Sequence, residues 1–262
     1  MSRPRSAFLQ SLLAFVTAVT VTVLWHELGH GVMARLLGYH PVVFSGREDD
    51  PATSQGDSVL IAAAGPVLSL VTGLALLAAA RRSKPGLRPG SLLVAWLGLL
   101  GVETFAGYLL TAPFFSGGDV GRILDLLGAP FPVALAVMVI GLAAVLVVAG
   151  SAVRVFERLM RVDPERPTDL RLFLRQAAVL PWILGTIVCL VVSLPLDNPF
   201  GPLAISTSGL FSLVAMGLTA RVFAGLPRFA GRVSTSGIVL LSVVALLVLL
   251  LDRFVFRSGL SL

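Results

Sequence analysis

Charge is scarce in this chain. Asp, Glu, Lys and Arg make up 13% of 262 residues, where an ordinary soluble domain carries about a quarter. A surface that poor in charge excludes a soluble globule of this size. Cysteine is nearly absent: Cys189 stands alone in an apolar run, which excludes an intramolecular disulfide and a cysteine-rich metal site. It is read as a packing residue. Histidine is also rare, at three residues, so any pattern among them carries weight. No internal repeat, low-complexity tract or sizeable polar domain interrupts the chain, which leaves no room for a large substrate-selecting module.

What is abundant is apolar sequence. Hydrophobic residues reach 56% and cluster into runs long enough to cross a hydrocarbon core, which takes roughly 20 helical residues. Seven candidate spans follow, at about residues 8–38, 59–80, 91–112, 131–150, 172–194, 203–225 and 234–251. The fold class expected is all-α, a polytopic transmembrane bundle of six to seven spans. Gly38 is a candidate terminator of the first span before Tyr39-His40-Pro41. The β-branched start of PVVFSGREDDPATSQGD suggests a small β element after it. Arg3 and Arg5 precede an apolar stretch in the manner of a secretory signal, but no small-residue cleavage site ends that stretch, so it is kept as mature structure.

The net charge of +6 sits mainly in short connections, of which RRSKPGLRPG is the clearest. This is a topology signal and not a nucleic-acid footprint, so no nucleic-acid partner is expected. Seven spans would put Arg3 and Arg5, Arg81–Arg88, Arg154–Arg171 and Arg221/Arg228/Arg232 on one side, with a cytoplasmic N-terminus. The loop Gly38–Asp57 would then lie outside. Organisation is read as a membrane core at 1–150, a polar interfacial linker at 151–171 and additional transmembrane helices at 172–262. Localisation follows as multi-pass and integral, in the cell membrane.

One motif carries chemistry. His26-Glu27-Leu28-Gly29-His30 lies inside the first apolar segment, and residues four apart share a helix face, so both imidazoles can reach one ion. Glu27 can act as general base on a water activated by that ion. Ionisable groups within membrane spans are costly and mark functional sites, which weighs against a purely incidental cluster. A third ligand is needed. Asp119 in FFSGGDVGRILDLLG is preferred, with Gly117 and Gly118 allowing a tight turn; its plainer role would be a helix N-cap. Glu103, His40 and the Glu48/Asp49/Asp50 cluster are the rivals. For Glu103, in apolar GVETFAGYLL, orienting a ligand histidine is the alternative role.

With this motif on an apolar helix and Asp119 in a glycine-rich turn downstream, residues 8–128 resemble the site-2-protease family of intramembrane metalloproteases. The resemblance implies His26, His30 and Asp119 as ligands of one zinc ion and Glu27 as the catalytic base. Ala64-Gly65-Pro66-Val67-Leu68-Ser69 is similar to the family's Gly-Pro element, with Ser69 where asparagine is common. GDV stands where the family has Leu-Asp-Gly. The resemblance also implies a site near the cytosolic face, opposite to the charge-based reading. The function expected is a zinc-dependent intramembrane endopeptidase acting on a membrane-spanning or membrane-adjacent protein within the lipid bilayer, with a separate adaptor or regulatory protein as a further partner. The alternatives are a non-proteolytic membrane protein with a structural or regulatory metal, and a transporter using Glu103 and Asp119.

Overall fold

The computed structural model describes residues 3–45, 47–48, 52–84, 86, 88–160, 178–192 and 235–262. Among these the helices are α1 (Arg3–Leu36), α2 (Gln55–Arg82), α3 (Pro89–Thr111), α4 (Asp119–Leu126), α5 (Phe131–Met160), α6 (Leu180–Val192) and α7 (Thr235–Leu251). The architecture is an all-α bundle. Five of the helices, α1, α2, α3, α5 and α7 with the turn that follows it, are long and apolar enough to cross a membrane. The candidate span at 172–194 is represented by the shorter α6, and the one at 203–225 lies outside the described residues.

Helix ends follow local chemistry. Gly38 takes φ +92°, while Gly38 N–H donates to Arg35 C=O and Tyr39 N–H to Ala34 C=O. That pair of bonds closes α1 as a Schellman turn, which a left-handed glycine permits. Ser54 caps α2, its Oγ accepting from Asp57 N–H at 3.1 Å, and Asp57 adds an acid to the positive end of the helix. Proline at the first position of α3 needs no hydrogen-bond donor there. α5 runs past residue 150 to Met160, into the stretch assigned to a polar linker. Ala152, Val155, Phe156 and Leu159 form a buried stripe at helical spacing, so packing on one face extends the helix despite Arg154 and Arg158 on the other.

α1 and α3 are the inner helices. Two-thirds of the most apolar window of each is buried, against 17% for α7, and α2, α3, α6 and α7 all pack on α1. Away from the histidines the core is aromatic: Phe15 meets Trp96 edge to face at 4.9 Å, and Trp96 meets Phe156 at 5.1 Å. The Trp96 indole donates to Ser11 Oγ at 2.9 Å, which satisfies its one polar atom inside the bundle. Where α2 crosses α3 the backbones nearly touch. A Cβ at Gly73 would lie 2.6 Å from Val102 N, the close approach that small residues allow between membrane helices.

The β element after α1 exists and gains an unforeseen third strand. β1 (Val42–Phe44) pairs antiparallel with β2 (Arg47–Glu48) on one side and with β3 (Leu260–Ser261) on the other. Val43 is fully buried among Leu24 and Phe256, with Leu28, Leu260 and Leu262 against them. A π-helical turn at Asp252–Phe256 follows α7, and Asp252 accepts a hydrogen bond from the Ser45 hydroxyl. The sheet is thereby clamped onto α1 at Gly31, where a side chain would strike Val43 and Leu262.

Gly73→Val is expected to destabilise the bundle by about 1–3 kcal/mol, the usual range for overpacking, and Gly90→Ala, which faces open space, by much less. Unfolding of both variants in the same detergent checks this; equal stability would sink the close-packing argument.

Candidate metal centre

His26 and His30 lie on the inward face of α1, each 3% exposed, with Glu27 at 8%. Their Nε2 atoms are 3.1 Å apart. Asp119 Oδ2 stands 2.9 Å from His26 Nε2 and 3.4 Å from His30 Nε2. These three side chains form a group able to hold a metal ion. Asp119 is the first residue of α4, and Gly118 occupies the N-cap position without a side-chain bond. Its carboxylate therefore turns to the histidines instead of capping its own helix.

The far side of each imidazole is held. His30 Nδ1 lies 2.7 Å from the Ile61 carbonyl; a carbonyl only accepts, so Nδ1 carries the proton and the Nε2 lone pair faces the centre. His26 Nδ1 lies 3.3 Å from Ser69 Oγ. Tyr108 stacks on the His26 ring at 5.2 Å and 9°, and its hydroxyl approaches the Asp119 carboxylate. Asp119 Oδ2 is buried with no hydrogen-bond donor of its own. A carboxylate oxygen facing the His30 Nε2 lone pair is an electron-rich focus, and a cation is what satisfies it. The residues present thus fit a metal ion.

Glycines make the geometry attainable. A Cβ at Gly65 would sit 2.3 Å from His30 Nε2, and one at Gly29 would sit 2.9 Å from Gly65 Cα. α1 and α2 therefore meet backbone to backbone beside the centre. In the turn before α4 the glycines serve space and not a left-handed bend: Gly118 has φ −91°, and a Cβ there would press on Phe115 and Tyr108. The tight turn expected at Gly117 and Gly118 is present, closed by Gly118 N–H donating to the Phe115 carbonyl at 3.2 Å. At Gly121 a Cβ would lie 2.2 Å from the Phe115 carbonyl oxygen, so α4 can fold back only without a side chain there.

Glu27 is buried on α1 beside His26 in sequence, within electrostatic range of both His30 and Tyr108. Among the rivals for third ligand, His40 pairs with Arg35 at 2.9 Å in the exposed connection, and Asp49 and Asp50 lie outside the described residues. Glu48 belongs to β2. Glu103 is buried on α3 and is not one of the three grouped side chains. Ser69, which stands where asparagine is common in the Gly-Pro element that the sequence resembles, reaches His26 Nδ1. Tyr108 and the Ile61 carbonyl went unforeseen, because neither an apolar-flanked tyrosine nor a main-chain oxygen leaves a signal in the sequence.

Gly65→Ala is expected to displace the His30 ring and lower metal content while the bundle stays folded. Ser69→Ala is expected to weaken metal affinity about 10–100-fold, the usual effect of losing a partner behind a ligand. Titration with a competing chelator, beside a folding control, measures both; unchanged affinity in the two variants would refute this account of the centre. Comparison with family models, characterised proteins and solved structures finds no match to this chain.

Proposed function

We propose that the chain is a zinc-dependent intramembrane endopeptidase of the site-2-protease kind, cleaving a membrane-spanning or membrane-adjacent protein. The observation that carries this is the convergence of His26, His30 and Asp119 against α1, a helix long and apolar enough to cross a membrane, with Glu27 next to His26. Separations of 2.9, 3.1 and 3.4 Å between the three ligand atoms suit a tetrahedral ion with bonds of about 2.0–2.1 Å. Two neutral imidazoles and one carboxylate favour zinc among the common divalent ions.

His26, His30 and Asp119 would hold the ion, which supplies the Lewis acidity that makes water a nucleophile at neutral pH. Glu27, adjacent in sequence to the first ligand, takes the proton from the attacking water and delivers it to the departing amine. Burial of Glu27 keeps bulk water away from the proton it carries. Tyr108, stacked on His26, restrains the ring against rotation, and the Ile61 carbonyl does the same for His30. The pocket thus separates two tasks: α1, α2 and α4 hold the ion, and one carboxylate moves protons. The cell membrane is the compartment proposed, with substrate recruitment left to a separate protein.

Purified protein is expected to carry about one zinc per chain, lost in His26→Ala and Asp119→Ala but kept in Glu27→Gln. Cleavage of a co-expressed membrane reporter is expected to fall by about 10²–10⁴ in Glu27→Gln. Zinc retained with cleavage unchanged in that variant would overturn the base assignment. Zinc retained with no cleavage even in the wild type would favour a structural metal.

A further inference from the structure

The bundle has two chemically different ends, and the metal centre belongs to one of them. α1 starts at Arg3 and ends beside the sheet, α2 returns, and α3 ascends again to the turn that presents Asp119. At the first end, Gly86 N–H donates to the Leu159 carbonyl at 3.0 Å and Arg158 Nε to the Ser83 carbonyl at 3.3 Å. The α2–α3 connection and the end of α5 therefore share that face. At the other end are the three strands and α4, which is tied to the start of α2 by a hydrogen bond from the Gln55 amide to the Leu126 carbonyl. His30 is six residues from the last residue of α1, so it lies about 9 Å from that end at 1.5 Å per residue.

Charge divides along the same line. Among the described residues of the α2–α3 connection and the end of α5, the bases Arg81, Arg82, Lys84, Arg88, Arg154 and Arg158 are accompanied by one acid, Glu157. Arg3 and Arg5 open α1 at that end too. At the opposite end, among the described residues, Arg35, Arg47, Arg122, Arg253 and Arg257 are matched by Glu48, Asp57, Asp119, Asp125 and Asp252. Basic excess in short connections marks the cytoplasmic side of a multi-pass protein, and acids contribute little to that rule. Even counting bases alone, the end away from the centre carries more.

We propose that the metal centre lies in the non-cytoplasmic half of the membrane and is reached from that side. The segment it acts on is then a stretch of membrane protein presented at the non-cytoplasmic interface, and metal and water arrive from the same compartment. This is opposite to the cytosolic placement that the family resemblance implies. The consequence for substrate rests on the peptidase reading; the side itself rests on helix polarity and charge alone.

The test uses two glycines whose added side chains meet nothing within 4 Å, Gly56 at the start of α2 and Gly90 at the start of α3. Gly56→Cys and Gly90→Cys are made separately in the full chain with Cys189→Ala and exposed to a membrane-impermeant maleimide in intact cells, then after permeabilisation. Gly56→Cys is expected to label fully in intact cells and Gly90→Cys only after permeabilisation. The reverse pattern overturns the proposal, as does labelling of both or of neither in intact cells. Because labelling needs neither bound zinc nor cleavage, a failure here leaves the peptidase reading standing, and a failure of that reading leaves the orientation result intact.

Discussion

Everything at the centre depends on how closely α1 can approach α2. The His30 ring occupies the space where a side chain of residue 65 would be, and Gly29 faces the Gly65 backbone across the same crossing. Without that contact the Ile61 carbonyl could not reach His30 Nδ1, nor Ser69 reach His26. Small residues are the usual means by which membrane helices approach, since lipid offers no hydrophobic drive to bring them together. Here the same device that packs the helices also fixes the tautomer and aim of a ligand ring.

The rest of the bundle supports this crossing from a distance. The Phe15–Trp96–Phe156 cluster fills the half of the core away from the histidines, while the sheet and Asp252 close the other end. Some of the buried polar groups are paired directly, such as Ser11 under Trp96 and Ser45 at Asp252. In hydrocarbon an unsatisfied polar group costs several kcal/mol. The concentration of His26, Glu27, His30 and Asp119 in one pocket is therefore affordable only if they serve one another or a bound cation.

Much of the fold was legible because it follows from local pattern. The long apolar runs give the helices, Gly38 and Ser54 mark ends through bonds within a few residues, and the β-branched start at residues 42–44 gives a strand. The end of α5 was missed because Arg154, Glu157 and Arg158 disguised the stripe Ala152, Val155, Phe156 and Leu159. Charge counts are blind to which face a residue occupies, whereas packing is decided face by face. β3 was missed for another reason: two residues near position 260 have no strand signature of their own and become a strand only by meeting β1.

The sequence by itself determined that His26 and His30 share a face, since a spacing of four is a property of any helix, and that Glu27 accompanies them. It also determined which segments are apolar enough to leave water. Only the tertiary structure decided that Asp119 joins the histidines instead of capping α4, that Ser69 and the Ile61 carbonyl hold the rings, and that Tyr108 covers His26. Those contacts link residues 31 and 43 positions apart or more, where periodicity carries no information. They are set by which helices cross, how near the glycines let them come, and which end of the bundle each turn occupies.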